Sequence, residues 1–207
     1  MKFGIITSDS KRSLNYLSYL IFNRIEPEFI LHCGSKNFLK KILKKKEAKI
    51  FFSKKINSPI TEKILAKYKD NYIIFGCGLG TKITSKEVLR SKIIHAHPGL
   101  LPEFKGSAVF FYSIILNNCI KISIIRMNHL IDGGKLYVVK KIKFKEINFK
   151  TIDLDIDRHR IEMITNFLKS KKKIIAKKKD KFNSYYIPHP AIRKLSENIY
   201  LKNNLKN

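Results

Sequence analysis

The chain is poor in cysteine, in acidic residues and in long apolar runs. Its three cysteines, Cys33, Cys77 and Cys119, are odd in number and far apart. They offer neither a disulfide framework nor a metal-ligand spacing, so we expect a reducing compartment and thiols that fill the core. No metal centre is expected. None of the 207 residues belongs to an apolar stretch of membrane-spanning length, and residues 1–7 open like a strand rather than a secretion signal. The expectation is a cytoplasmic protein without a membrane partner. Acids number 16 against 43 lysines and arginines, a formal net charge of +27. Such an excess is often a nucleic-acid footprint. Here it is nearly all lysine, arginine is scarce, and isoleucine and asparagine are abundant, which points to a compositional bias of the whole proteome. The lysines are scattered except at 169–181. That run reads first as a solvated face and second as a phosphate-attracting surface. Nucleic acid is therefore the weaker expectation for a partner.

What is present is a regular alternation. Short apolar runs at 2–7, 28–32, 49–52, 72–75 and 92–95 read as strands. Between them, 13–24, 36–45 and 60–68 carry apolar residues at helical spacing. Such alternation predicts an α/β, Rossmann-like fold, a mostly parallel twisted sheet with helices on both faces. Beyond it, 108–116 reads as a helix, and 120–127 and 135–143 as strands. The stretch 152–168 reads as an amphipathic helix with Leu154, Ile161, Ile164 and Leu168 as its apolar set. Residues 185–190 read as an extended segment. The expected organisation is one catalytic domain over 1–150, a helix and extended segment over 151–200 packing on it, and a frayed tail over 201–207.

The densest signal is Ile93-Ile94-His95-Ala96-His97-Pro98-Gly99-Leu100-Leu101-Pro102, followed by Lys105-Gly106 and later by Asp132-Gly133-Gly134. The short strand ends in two histidines at alternate positions, and on an extended backbone both imidazoles face one side. Open α/β sheets place ligand crevices at the carboxyl ends of their strands. Prolines stiffen the turn that follows and glycines relieve it. A carboxylate at Asp132 would orient a histidine ring and raise its basicity. The first turn of the chain, 7–13, places Ser8, Ser10 and Lys11 where an anionic substrate group could meet a helix N-terminus, although Ser13 serves equally as a plain N-cap. That turn has no glycine.

The run His97-Pro98-Gly99-Leu100-Leu101-Pro102, with Lys105-Gly106 and Asp132-Gly133-Gly134 beyond it, resembles the folate-dependent formyltransferases. That family includes glycinamide ribonucleotide, methionyl-tRNA and sugar N-formyltransferases. The likeness is dense over 72–139. It implies transfer of a formyl group from 10-formyltetrahydrofolate to a primary amine of a small-molecule acceptor. By position, His97 matches the family histidine and Asp132 the family aspartate, while His95 stands where the family has asparagine. The resemblance implies that the asparagine donates to the formyl oxygen, that the histidine also stabilises the developing charge, and that the aspartate holds the histidine. Imidazole can donate in either charge state, so His95 can replace the amide, with a charge that changes near neutral pH. The family holds the pterin largely through backbone atoms matching Phe75-Gly76-Cys77-Gly78-Leu79-Gly80 and the loop before Asp132, where His129 and Leu130 lie. Three glycines in that run suit close backbone approach to a flat ring. Lys121, Arg126 and His129 depart from the family pattern around the second motif.

The acceptor expected from the resemblance is an amino sugar, nucleotide-linked or in a glycan precursor. The purine-pathway member carries a glycine-rich phosphate loop in the first turn, which this sequence lacks. The methionyl-tRNA member carries a further β-barrel domain, for which the residues after Glu146 are too few. The alternatives are a truncated tRNA-directed enzyme, favoured by the lysine excess, and a catalytically silent folate-binding relative, favoured by His95.

Overall fold

The computed structural model describes residues 2–40, 48–78, 81–170 and 185–204. In chain order the strands are β1 (Phe3–Ser8), β2 (Phe29–Cys33), β3 (Lys49–Ser53), β4 (Tyr72–Phe75), β5 (Lys92–His97), β6 (Lys105–Gly106), β7 (Ile120–Arg126), β8 (Lys135–Ile142) and β9 (Tyr185–Tyr186). Seven of them form one sheet in the order β3-β2-β1-β4-β5-β7-β8, and β6 pairs with β9 apart from it. The first five run parallel. β7 and β8 are antiparallel additions at the β5 edge. The strand order reverses between β1 and β4, which opens a crevice at their carboxyl ends.

Helices α1 (Lys11–Phe22), α2 (Lys36–Lys40), α3 (Pro59–Ala66), α4 (Lys86–Arg90), α5 (Phe110–Asn117), α6 (Ile152–Lys169) and α7 (Pro190–Asn204) cover both faces. Alternate side chains of the five parallel strands feed two separate cores. Phe3, Ile5, Ile30, Ile74, Ile94 and Ile124 pack beneath α1, α5 and α6. Ile6, Phe29, Leu31, Ile73, Phe75 and Ile93 pack beneath α3 and α4. This is the architecture expected from the alternation of strand and helix patterns.

Three local differences have physical causes. Ser10, not Ser13, caps α1 by accepting from Ser13 N. That leaves the Ser13 hydroxyl to donate to Gly76 O at 2.9 Å, tying the first turn to the end of β4. In α6, Leu154 is 52% exposed, while Ile161, Ile164 and Leu168 are buried as expected, and a buried row runs through Ile152, Ile156, Arg160, Ile164 and Leu168. Each is four residues from the next, the spacing of one helix ridge. Finally, 201–204 continue α7 rather than fray, while 205–207 lie outside the described residues. Ile192, Ile199 and Tyr200 of α7 pack on the first core, but a buried serine, Ser196, interrupts their row. Its hydroxyl donates back to Arg193 O at 2.7 Å. That interruption makes the apolar period of α7 thin in sequence.

Candidate functional site

Both histidines of β5 are buried, and Ala96 between them faces the opposite core. The loop after β5 is clamped by Ser123 of β7, which donates to Gly99 O at 2.6 Å and accepts from Leu101 N at 3.1 Å. Folding back, the loop brings the Phe104 carbonyl to His97 Nε2 at 2.7 Å. Glycine at 99 permits this. A Cβ there would lie 2.7 Å from Phe104 O and 2.8 Å from His97 Nε2, closer than side-chain carbons approach.

The second motif supplies the carboxylate. Asn128 shapes its loop, accepting from Leu130 N at 2.9 Å and donating to Gly133 O at 3.0 Å. Asp132 takes a left-handed backbone, φ 52°, which aspartate tolerates better than most residues. Its Oδ1 lies 3.2 Å from His97 Nδ1, and its Oδ2 accepts from Gly106 N at 3.0 Å. Burial alone would raise this carboxyl. The hydrogen bond and charge of His97, the neighbouring His95 and the Gly106 N–H outweigh it and hold the pKa at about 2. The carboxylate is therefore ionised at neutral pH. His97 faces a carboxylate with one nitrogen and a carbonyl with the other. Both partners are acceptors, so each ring nitrogen faces an oxygen that can hold it. His97 is thereby pinned at two points by the motif's own residues.

His95 is held differently. Its ring lies edge-on to Phe75, centroids 5.6 Å apart. Its Nε2 is 3.5 Å from an Nη2 of Arg160, and its buried Nδ1 finds no hydrogen-bond partner among the described residues. Burial, then the Arg160 and Arg12 charges, push its pKa well below the usual imidazole value. His95 is thus neutral near pH 7, which corrects the expectation of a charge change there. Arg160 also donates from Nε to Ala96 O at 2.6 Å and from Nη1 to Asp157 Oδ1 at 3.0 Å. Asp157 is shared with Asn15 Nδ2 at 3.0 Å and Arg12 Nε at 3.5 Å. Arg12 in turn donates to Cys77 O at 2.8 Å, and burial and then Arg160 lower its pKa to about 10.

His95, His97 and Asp132 line one crevice at the carboxyl edge of the sheet, as the motif order and alternate spacing predict. Of the residues expected to hold the donor, Phe75, Gly78, His129 and Leu130 line it too. Gly76 lies behind, its Cβ position 3.1 Å from Ile6 O, and Cys77 is fully buried. Leu79 and Gly80 lie outside the described residues, as does most of the lysine run at 169–181. Ser10 and Lys11 line a second hollow that shares Arg12, Gly78 and Arg160 with the first. The Ser8 hydroxyl lines neither; it accepts from Gly78 N at 3.2 Å and approaches Ser10 Oγ at 3.3 Å. Arg12, Asp157, Arg160 and the Phe104 carbonyl are the site groups that the motifs do not announce. The signal for Arg160 was present: an arginine in the middle of a four-spaced apolar row.

Donor atoms of His95, His97 and Asp132 lie within 4.8 Å of one another, close enough to consider a cation. The arginines oppose it. With a metal on His95 Nδ1, Nε2 would carry hydrogen and face a guanidinium that only donates. Positive charge from Arg160 and Arg12 would also act on the ion. The three cysteines are free, and no described helix is long and apolar enough to cross a membrane.

No family model matches the chain, and no curated protein matches it in sequence. Solved structures match it in shape. Phosphoribosylglycinamide formyltransferase from Bacillus halodurans superposes with a TM-score of 0.57 at 12% identity, covering 86% of this chain and 100% of that one. Methionyl-tRNA formyltransferase from Clostridium thermocellum gives 0.55 at 19% identity, over 90% of this chain and 71% of that one. A formyltetrahydrofolate deformylase from Pseudomonas syringae gives 0.53 at 12% identity, over 78% of this chain and 59% of that one. The chain has the α/β fold of the formyltransferases.

Proposed function

We propose that this protein transfers a formyl group from 10-formyltetrahydrofolate to a primary amine, with an amino sugar as the acceptor. The observation that carries the proposal is the meeting of His95, His97 and Asp132 in one crevice, with the buried Nδ1 of His95 unpartnered among the described residues. Fold neighbours whose names include formyl transfer and formyltetrahydrofolate support the same class of chemistry. The surroundings fit a flat, folate-type donor. Gly78 offers close backbone approach, Ile83, Ile125 and Leu130 give apolar walls, and Asn128 and His129 give polar edges.

When bound, the donor supplies the formyl carbon. The amine nitrogen bonds to that carbon, the carbon–nitrogen bond to folate breaks, and a proton passes from the new amide to the departing nitrogen. His95 donates to the formyl oxygen as negative charge develops there. Asp132 holds His97, and the charge of that pair fixes the field beside the reacting carbon. Asp132 is also the group placed to relay a proton through water. In this arrangement His97 acts through its fixed position beside the reacting carbon, since both its nitrogens are already engaged.

The second hollow is the acceptor side. Lys11 and Arg12 oppose Asp153 and Asp157 there, a mixed lining that suits a polar sugar bearing an amine. The hydroxyls of Ser8 and Ser13 are turned inward onto residues 76–78, which argues against a phosphate gripped in the first turn. The test is incubation with 10-formyltetrahydrofolate and a panel of amines, read by mass spectrometry for the formamide. Nucleotide-linked amino sugars should be formylated. Formylation of methionyl-tRNA alone would move the acceptor, and no product with any amine would leave a silent folate-binding relative.

A further inference from the structure

We propose that Arg160 is a positioning residue that fixes His95 as the Nδ1–H tautomer and so keeps one N–H available for the formyl oxygen. The purpose given to that N–H rests on the formyl-transfer proposal, whereas the tautomer itself does not.

Arg160 is among the largest fully buried side chains of the protein, on the α6 ridge that otherwise carries isoleucine and leucine. Nothing in core packing asks for a guanidinium there, and an unpaired buried charge is costly. Every branch of it is engaged. Nε donates to Ala96 O, the backbone between the two histidines, and Nη1 donates to Asp157. Nη2 reaches His95 Nε2 at 3.5 Å, and the guanidinium carbon lies 5.8 Å from the Tyr16 ring centre. Arginine has no acceptor, so Nε2 must accept, and in a neutral ring the hydrogen then resides on Nδ1. That nitrogen is the one left without a partner among the described residues. An asparagine at this position would carry its donor whatever its neighbours. A histidine must be told which nitrogen to protonate, and Arg160 does so. The charged and titratable groups acting on the ring are Arg160, Arg12, Asp132 and His97. Protonation of His95 would set an Nε2 hydrogen against the guanidinium.

The full chain with ¹⁵N-labelled histidine tests this by long-range proton–nitrogen correlation, the His95 signals being identified by their loss in His95→Asn. The wild type should show His95 protonated at Nδ1, and Arg160→Met should lose that preference. Arg160→Lys, which keeps charge and a donor, should retain it in part. In turnover, Arg160→Met should lower kcat about tenfold or more, with the KM for the folate donor little changed. In a His95→Asn background the same substitution should cost less than about threefold, because an amide needs no tautomer. An Nε2–H tautomer in the wild type overturns the proposal, and so does an unchanged tautomer in Arg160→Met. A full kcat loss that persists in the His95→Asn background would show that Arg160 only braces the strand. If Arg160→Met does not fold, the wild-type spectrum and Arg160→Lys decide. An Nδ1–H tautomer in a protein that formylates no amine would uphold the positioning by Arg160 and overturn the formyl-transfer proposal instead.

Discussion

The crevice has two walls of different origin. One is built from residues 97–134, where His97 is fixed by Phe104, seven positions away, and by Asp132. The other is built across the molecule, where His95 meets Arg160 at a separation of 65 residues and Arg12 reaches Cys77 O across the same number. The first wall satisfies both nitrogens of its histidine. The second satisfies one and leaves the other unpartnered among the described residues. A buried unsatisfied donor costs about 1–3 kcal/mol, and on the proposed function a ligand atom meets it there.

Removing the first wall should have the largest effect. On the proposed function, His97→Ala and Asp132→Ala should each lower turnover by at least about a hundredfold, with folate binding little changed, since neither side chain is assigned to hold the flat ring. Steady-state kinetics with donor titration checks it, and near-normal turnover in either variant would reject the roles assigned to that wall.

The second wall is probed at His95. His95→Phe fills the space without donating and should lower turnover by about a hundredfold or more, whereas His95→Asn should stay within about tenfold of wild type. Because burial and the arginines hold His95 neutral, it should add no titration near pH 7, so the wild type and His95→Asn should share one profile there and diverge only at acid pH. Equal turnover of the wild type and His95→Phe would remove His95 from the chemistry.

A smaller effect sharpens the contrast through stability. Asp132 titrates at about 2 in the fold against an ordinary value of 3.8, so its contribution is complete above that ordinary value and is lost as pH falls toward 2. The shift corresponds to about 2 kcal/mol. Denaturant unfolding at pH 5 and pH 2.5 should show that loss in the wild type and not in Asp132→Asn.

Gly99→Ala should act at a similar scale, lowering stability by about 1–3 kcal/mol through overpacking. The added Cβ meets Val109, Phe104 O and His97 at once. A melting temperature equal to wild type would mean that the loop, and with it the Phe104 contact, is free to shift.

Periodicity and motif spacing were enough for the mostly parallel sheet and for the convergence of His95, His97 and Asp132 on one edge. These follow from local rules: alternate residues share a face, and a strand end followed by prolines and glycines turns back on itself. The short helix α4 and the long α7 were not legible. One is only five residues long, and the other carries its apolar residues around a buried serine.

The pairing of His97 with Asp132 was legible in the motifs, at the end of β5 and in the loop after β7, while the Phe104 carbonyl that completes the first wall was not. The second wall came instead from the packing of distant helices against the sheet edge. Whether His95 is charged or neutral depends first on its burial and then on two guanidiniums that α1 and α6 bring to the strand end, and one of these faces Nε2 and so decides which nitrogen keeps the hydrogen. No period or spacing encodes that meeting. It exists because helices far apart in the chain pack on one face of the sheet, and because burial there makes each charge and each donor count for more than it would in water.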